Sequence, residues 1–392
     1  MEDEYLSLGI GKLESEWCRN VIGPQDHSVL FQSDDQADIP YYFDGDNDTI
    51  MSKSGPGYSK SLGEVRERLK LLGYSYNKLP TMLHEHIRSF VHEQADFKGF
   101  SPKKFIELLN AVIIKDIELV EHEGDASYGE FFSRRILTLP QFEPIKTYLD
   151  TIPRAGHYIL EQIDPYIILS ALAENPENRK LSLEWRKKGK LSGLDKYQTY
   201  LIVTEGHTDG EVLKKTLQIL RPEIADFFDF IDMRDNYPFG GVGSMIKFFQ
   251  GLTKIGTDRK MVFIFDNDTE GHFNFDRLKD IPQPANMQKF ILPDLNEFQN
   301  FKTTGVLGVA EENVNGRAVA IEMYLDHKFK LTHIPVVEWG ALHTSTQTLQ
   351  GALKKKTKYY DKFMTLEEKD YDKYDFNKLH KLLDRFIENI IS

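Results

Sequence analysis

The chain has 392 residues and a formal net charge of −12; 40% of its residues are apolar, with 26 Phe and 18 Tyr. A chain of this length and composition can bury cores in two domains, which excludes wholesale disorder. One cysteine, Cys18, excludes an internal disulfide framework and a cysteine-rich zinc ribbon, and the acidic balance fits poorly with nucleic-acid binding through bulk positive charge.

The start, MEDEYLSLGI, is acidic and lacks the basic, apolar pattern of a signal peptide. No run of about 18 apolar residues occurs, so a soluble cytoplasmic protein without a membrane partner is expected. Residues 1–80 read as short strands and turns. Within them, Asp44-Gly45-Asp46-Asn47-Asp48 imitates a calcium loop, but Thr49 stands where glycine is needed and Gly55 where a bidentate glutamate is needed. An acidic surface turn is the better reading.

From 62 to 185 the pattern is mainly helical. Leu62, Val65, Leu69 and Leu72 line one face, and Gly73 stops the run. A second helix opens with Ser101 as N-cap and Pro102 at its first position, then repeats Phe105, Leu108, Leu109 and Val112. Helical segments are also expected over 127–150 and 158–174. His84, His86 and His92 have spacings that could touch one metal on a helix face, although solvated histidines are the commoner outcome. The polar, turn-forming stretch from Ala173 to Gln198 marks a domain boundary near residue 190.

The character changes from residue 198. Apolar runs YLIV, FFDFI, KMVFIF and MQKFIL alternate with helical patterns over 209–220, 245–256 and 272–280, and an amphipathic helix closes the chain. This alternation is that of an α/β domain with a central parallel sheet flanked by helices. The expected organisation is thus a β-containing and helical N-terminal domain over 1–190 and an α/β domain with a helical extension over 195–392.

Two strand ends carry the chemistry. One reads Glu205-Gly206-His207-Thr208-Asp209, the other Asp266-Asn267-Asp268-Thr269-Glu270-Gly271. Parallel sheets present functional groups at the carboxyl ends of their strands, and residues i and i+2 of a strand share a side. Gly206 permits a sharp turn or a close approach. Like charges at about 4 Å repel by about 4 kcal/mol at an effective dielectric of 20, so a gathering of Glu205, Asp209, Asp266, Asp268 and Glu270 requires raised pKa values or a bound cation. Hard oxygen donors favour Mg²⁺ or Mn²⁺. Taken singly, each acid also reads as an ordinary cap after a strand.

LIVTEGHTDG and MVFIFDNDTEG resemble the two signature motifs of Toprim domains, a group that includes topoisomerases, bacterial primases and the overcoming-lysogenization-defect nucleases. The resemblance covers about 198–330. It implies that Glu205 is a general acid/base or metal ligand, that Asp266 and Asp268 form the metal-binding DxD pair, that Glu270 is the third acid, and that Asp209 matches an acid of some nuclease branches. YLSLGIGKLESEWCRNVIGP and PYYFDGDNDTIMSKSG resemble an N-terminal domain joined to HEPN or Toprim modules in bacterial conflict systems. NGRAVAIEMYL (315–325) resembles the same Toprim branch, with Glu322 either a further acid or a buried helix-start residue. HEPN ribonucleases carry Arg-x(4–6)-His; Arg88 and His92 are separated by three residues and Arg154 and His157 by two, so a second active site is not expected.

These readings imply a metal-dependent endonuclease acting on DNA or RNA with Mg²⁺ or Mn²⁺, of anti-phage or conflict-system type, restrained by its N-terminal module and helical middle through homo-oligomerisation, with a partner defence protein as a further expected partner. A basic group is needed against the transition-state charge, and Lys354, Lys355 and Lys356 supply candidates, with Lys354 taken as catalytic. The other basic strip, 186–190, reads as a solvated face. Gly240, Gly241 and Gly243 read as a tight turn or as a phosphate approach. The alternative is a catalytically idle Toprim-like protein that binds a partner or nucleic acid.

Overall fold

The alternating, turn-rich segments of the N-terminal part pair into one antiparallel sheet. In a computed structural model, which describes residues 7–11, 13–14, 26–44, 50–90, 101–117, 139–150, 163–231 and 241–392, the chain divides into two compact units, residues 1–194 and 195–392. In the first, β1 (Leu8–Ile10), β2 (Leu13–Glu14), β3 (Gln36–Asp44), β4 (Ile50–Ser61) and β5 (Ser182–Trp185) are ordered β2-β1-β5-β4-β3. β3 and β4 form a long hairpin registered from Gln36↔Tyr58 to Asp44↔Ile50.

The position of β5 differs from the sequence reading, in which this stretch is polar and turn-forming. It lies between β1 and β4 at the centre of the sheet. Two alternate apolar residues suffice there: Leu183 and Trp185 are buried, and the Trp185 ring stacks on Phe31. Its partners come from residues more than a hundred positions earlier, so the local pattern carries no sign of them.

Among the described residues five helices accompany the sheet: α1 (Leu62–Leu71), α2 (Leu79–Phe90), α3 (Pro102–Ala111), α4 (Glu143–Asp150) and α5 (Pro165–Glu174). Ser61 caps α1 in a reciprocal box with Glu64, and Ser101 with Pro102 opens α3 as the residue types predict. α5 is buried nearly all round, the pattern of a central helix, and α1 and α3 both pack against it. Asn178 ties these pieces together. Fully buried, it donates to the carbonyls of Val112 (2.8 Å) and Leu172 (2.9 Å) and accepts from the Ile114 amide (2.9 Å). His92, Arg154, His157, Cys18, Gly240 and residues 45–49 of the acidic turn lie outside the described residues.

The second unit is built on a four-stranded parallel sheet of β6 (Tyr200–Val203), β7 (Phe228–Phe230), β8 (Lys260–Phe265) and β10 (Met287–Ile291), in the order β10-β8-β6-β7. Helices α6 (His207–Leu220), α7 (Val242–Ile255) and α8 (Thr269–Arg277) connect the strands. Met261, Phe263 and Phe265 of β8 pack against Met245, Ile246 and Phe249 of α7, the continuous apolar run that a strand covered on both faces requires. From β6 the chain moves outward to β7 on one side, and from β8 it moves outward to β10 on the other. The switch point, where open α/β sheets bind ligands, is therefore the crevice between the carboxyl ends of β6 and β8.

Beyond Phe265 the chain leaves this sheet. β9 (Asn267–Asp268) pairs with β13 (Ala318–Val319). A second sheet, ordered β12-β11-β14-β15, comprises β11 (Phe301–Gly305), β12 (Gly308–Glu312), β14 (Val337–His343) and β15 (Thr348–Leu353). Helices α9 (Lys356–Met364) and α10 (Asn377–Ile391) complete the unit. Among the described residues no helix is long and apolar enough to cross a membrane.

Asn178→Ala would strand the Ile114 amide in a dry core, at about 1–3 kcal/mol where no water replaces the bond, while the Val112 and Leu172 carbonyls would each keep a donor from Asn175. A loss of about 2 kcal/mol in the urea unfolding of the full chain is expected; a loss below about 1 kcal/mol would refute the hub role.

Candidate functional site

The two predicted acidic strand ends meet at the switch point. Val203 of β6 lies opposite Phe263 of β8, so Glu205 and Asp266 leave adjacent strands side by side. The Glu205 Oε1 accepts a hydrogen bond from the Asp266 backbone amide at 3.1 Å. Asp209, in the first turn of α6, returns its Oδ2 to the Gly206 amide at 2.9 Å. Gly206 itself is extended, at φ −136°, so no positive-φ turn is involved. A Cβ there would sit 3.3 Å from the Asp209 Oδ2, and the close approach is what its small size permits.

Asp268 caps α8 through Oδ1, which accepts from the Gly271 amide at 2.7 Å. Gly271 is required sterically: a Cβ at that position would lie 2.1 Å from the Asp266 carbonyl oxygen. The start of α8 is thereby pressed against the backbone of the first aspartate. The pairing of β9 with β13 sets Val319 opposite Asn267. Three residues further on, in a short 3₁₀ turn (Ile321–Tyr324), Glu322 is only 3% exposed, and its charge is felt at both Asp209 and Asp266. Glu322 is thus both a buried turn residue and a sixth acid.

The charges of these groups act on one another. Burial, reinforced by the charges of Asp268, Asp209 and Glu270, pushes Glu205 up to about 8, against the hydrogen bond from the Asp266 amide. Burial and then Glu322 push Asp209 up to about 7, opposed by the Gly206 amide and the Lys356 ammonium. Asp266 is held well above the carboxylate range by burial and by Asp209, Glu205, Asp268 and Glu322. Asp268 is raised by burial despite its bonds to Gly271 and Gln350. An array of hard oxygen donors that resists carrying its full charge suits a divalent cation of the Mg²⁺ or Mn²⁺ type.

Among the described residues, however, no three His, Cys, Asp or Glu side chains are arranged as a ready ligand set. The two findings concern different distances. Charge coupling acts over several ångströms, whereas Mg²⁺ takes its oxygens at about 2.0–2.1 Å.

Lys354 is not brought to this cleft: its ammonium pairs with Glu338 at 2.8 Å. Lys356 is the lysine that lies there, with its Nζ 4.0 Å from the Glu322 Oε1. The shift comes from Lys355, which takes a left-handed φ of 60° ahead of α9 and turns the chain between them. In the other basic strip, Arg186 is buried against Glu184 and the Pro40 carbonyl. Gly241 adopts φ 82° immediately before α7, as a tight turn demands. His84 of α2 is exposed.

Several residues around the acids lie outside the two acidic motifs. Asn274 donates to the Glu270 Oε1 at 2.7 Å. Gln350 and His343, from β15 and β14, meet Asp268 and Glu270. Asn274 could have been found from its i+4 spacing to Glu270 on a helix; the other two come from a distant hairpin.

Fold and cleft together define an α/β protein with an acid-lined crevice at the switch point of a parallel sheet, preceded by a β-containing and helical unit. Residues 2–191 match the family model described as HEPN/Toprim N-terminal domain 1, which supports a HEPN/Toprim-associated protein. No curated protein and no solved structure matches it.

The raised Glu205 gives a pH signature. An acid whose folded-state pKa lies above its unfolded value of 4.5 has no effect where both states are protonated and destabilises fully once the pH exceeds the folded value. Glu205→Gln keeps the acceptor for the Asp266 amide and removes the charge. In EDTA it should melt with wild type near pH 4 and above it by pH 8.5. A difference that is the same at every pH would contradict the assignment.

Proposed function

We propose that the second unit is a Toprim-like, divalent-cation-dependent endonuclease acting on DNA or RNA, in a chain of bacterial conflict or anti-phage type. The observation that carries this reading is the Glu205 carboxylate set against the Asp266 amide between two adjacent parallel strands, within a cleft of six acids. The HEPN/Toprim N-terminal match supports a nuclease-associated or defence-type role.

In this reading the cation would be held by members of the set Glu205, Asp209, Asp266, Asp268, Glu270 and Glu322. Bound Mg²⁺ or Mn²⁺ supplies positive charge to the scissile phosphate and lowers the pKa of water. The chain's own residues do the rest. Glu205, with Oε1 held by the Asp266 amide, takes the proton of the attacking water at Oε2. Lys356 presents an ammonium whose charge is felt at Asp209 and offsets charge gathering on the phosphate oxygens.

The second reading, a catalytically idle scaffold that binds a partner or nucleic acid, draws on the absence of a ready three-residue ligand set among the described residues. Cleavage assays separate the two. Full-length protein is incubated with labelled single- and double-stranded DNA and RNA in Mg²⁺, Mn²⁺ or EDTA. At least one substrate should be cut in a metal-dependent manner. Asp266→Asn should abolish cutting, and Lys356→Ala should lower kcat about 10²–10³-fold, the range for losing one electrostatic stabiliser. Cleavage that persists in EDTA, or identical behaviour of wild type and Asp266→Asn on every substrate, rules the nuclease out.

A further inference from the structure

The hairpin of β14 and β15 touches the acid loop at four points. The Gln350 Nε2 donates to the Asp268 Oδ2, and the Gln350 Oε1 accepts from the Glu270 amide at 3.1 Å. The Leu349 carbonyl accepts from the Thr269 hydroxyl at 3.0 Å. At the far end of β14, the His343 Nε2 meets the Glu270 Oε2 at 3.0 Å.

Each contact has only one workable polarity. A backbone N–H can meet only the oxygen of the Gln350 amide, and a carboxylate only its nitrogen, so the two partners fix the amide's orientation. The His343 Nδ1 accepts from the Thr346 amide at 3.2 Å. The proton therefore sits on Nε2, where it is donated to Glu270. Phe273 lies against the imidazole with ring centroids 5.0 Å apart and limits its rotation.

The acids divide accordingly. Both oxygens of Asp268 are engaged, by Gly271 and Gln350. Both oxygens of Glu270 are engaged, by Asn274 and His343. By contrast, among the described residues no donor bonds the Asp266 carboxylate, and Glu205 and Asp209 each have one oxygen held by a backbone amide. Two of the six acids, Asp268 and Glu270, are thus held in part by a hairpin about 80 residues away in sequence. Carboxylates that repel one another swing apart unless donors fix them, and such outer partners tune a metal site as strongly as its ligands.

We infer that Gln350 and His343 are positioning residues that orient Asp268 and Glu270 towards a divalent cation. The inference rests on the metal-site reading of the acid cleft and extends it to the hairpin. The test is direct Mn²⁺ binding by the full-length protein, read from the electron paramagnetic resonance of free Mn²⁺, with metal-free melting temperatures measured alongside. Gln350→Ala and His343→Ala should each weaken Mn²⁺ about 10–100-fold with little change in the metal-free melt. His343→Gln, whose amide nitrogen can replace the Nε2 donor, should restore affinity to within a few-fold of wild type. If Gln350→Ala folds poorly, the His343 pair of variants still decides the question.

Wild-type protein that binds no Mn²⁺ would overturn the metal-site reading and this inference together. Wild-type binding with unchanged or tighter binding in His343→Ala would overturn the positioning role alone. Equal loss in His343→Ala and His343→Gln would also overturn it, because the donated hydrogen bond would then not be the cause.

Discussion

Negative charge confined between two neighbouring strand ends is the constraint around which the second unit is organised. At an effective dielectric near 20, each pair of carboxylates at about 4 Å carries a repulsion of about 4 kcal/mol. Glu205, Asp209, Asp266 and Asp268 all resist ionisation because of one another and because of burial. A core built for stability would not keep such a group. The surrounding structure holds it with backbone amides, a helix start and one ammonium. Local disagreement with the demands of packing is what a functional site looks like in an otherwise consistent fold.

The scaffold makes this possible by keeping the acids on rigid supports. β8 is buried along five of its six residues and is clamped between β6 and β10. The exit of the chain after Phe265 is then fixed by steric necessity at Gly271 and by the pairing of β9 with β13. Asn267, between the two aspartates, is buried and fully occupied: it donates to Asp294 at 2.7 Å and accepts from the Gly316 amide at 2.9 Å. An amide at this position anchors the loop without adding a further charge. That division of labour explains why the middle residue of the triplet points away from the chemistry.

The first unit solves a different problem, which is to close a sheet whose strands come from both ends of its sequence. Its buried cations are all engaged. Lys60 pairs with Asp35 at 2.9 Å and donates to Gln32, the Arg68 Nε donates to the Val29 carbonyl, and Arg186 is held by Glu184 and Pro40. Removing one member of such a pair leaves a buried charge uncompensated, which is far more damaging than loss of a surface bridge. These contacts join segments separated by up to about 150 residues, and they fix which strand lies beside which.

Much of this was legible from the chain alone, for a local reason. Hydrophobic period, caps and turn residues are properties of neighbouring positions, so α1, α3, the four parallel strands and the closing helix α10 follow from them. The acids after β6 and β8 could be picked out because parallel strands end in functional loops. The tertiary structure alone decided what depends on distant segments. It brought Glu322 and Lys356 to the cleft while leaving Lys354 on Glu338. It inserted β5 at the centre of the first sheet. It also raised the second sheet, whose largely exposed strands leave little periodicity to read, so that Gln350 and His343 reach Asp268 and Glu270. Residue type and spacing specify which groups a segment offers; which of them meet is set by sheet order and burial, and these are properties of the whole chain.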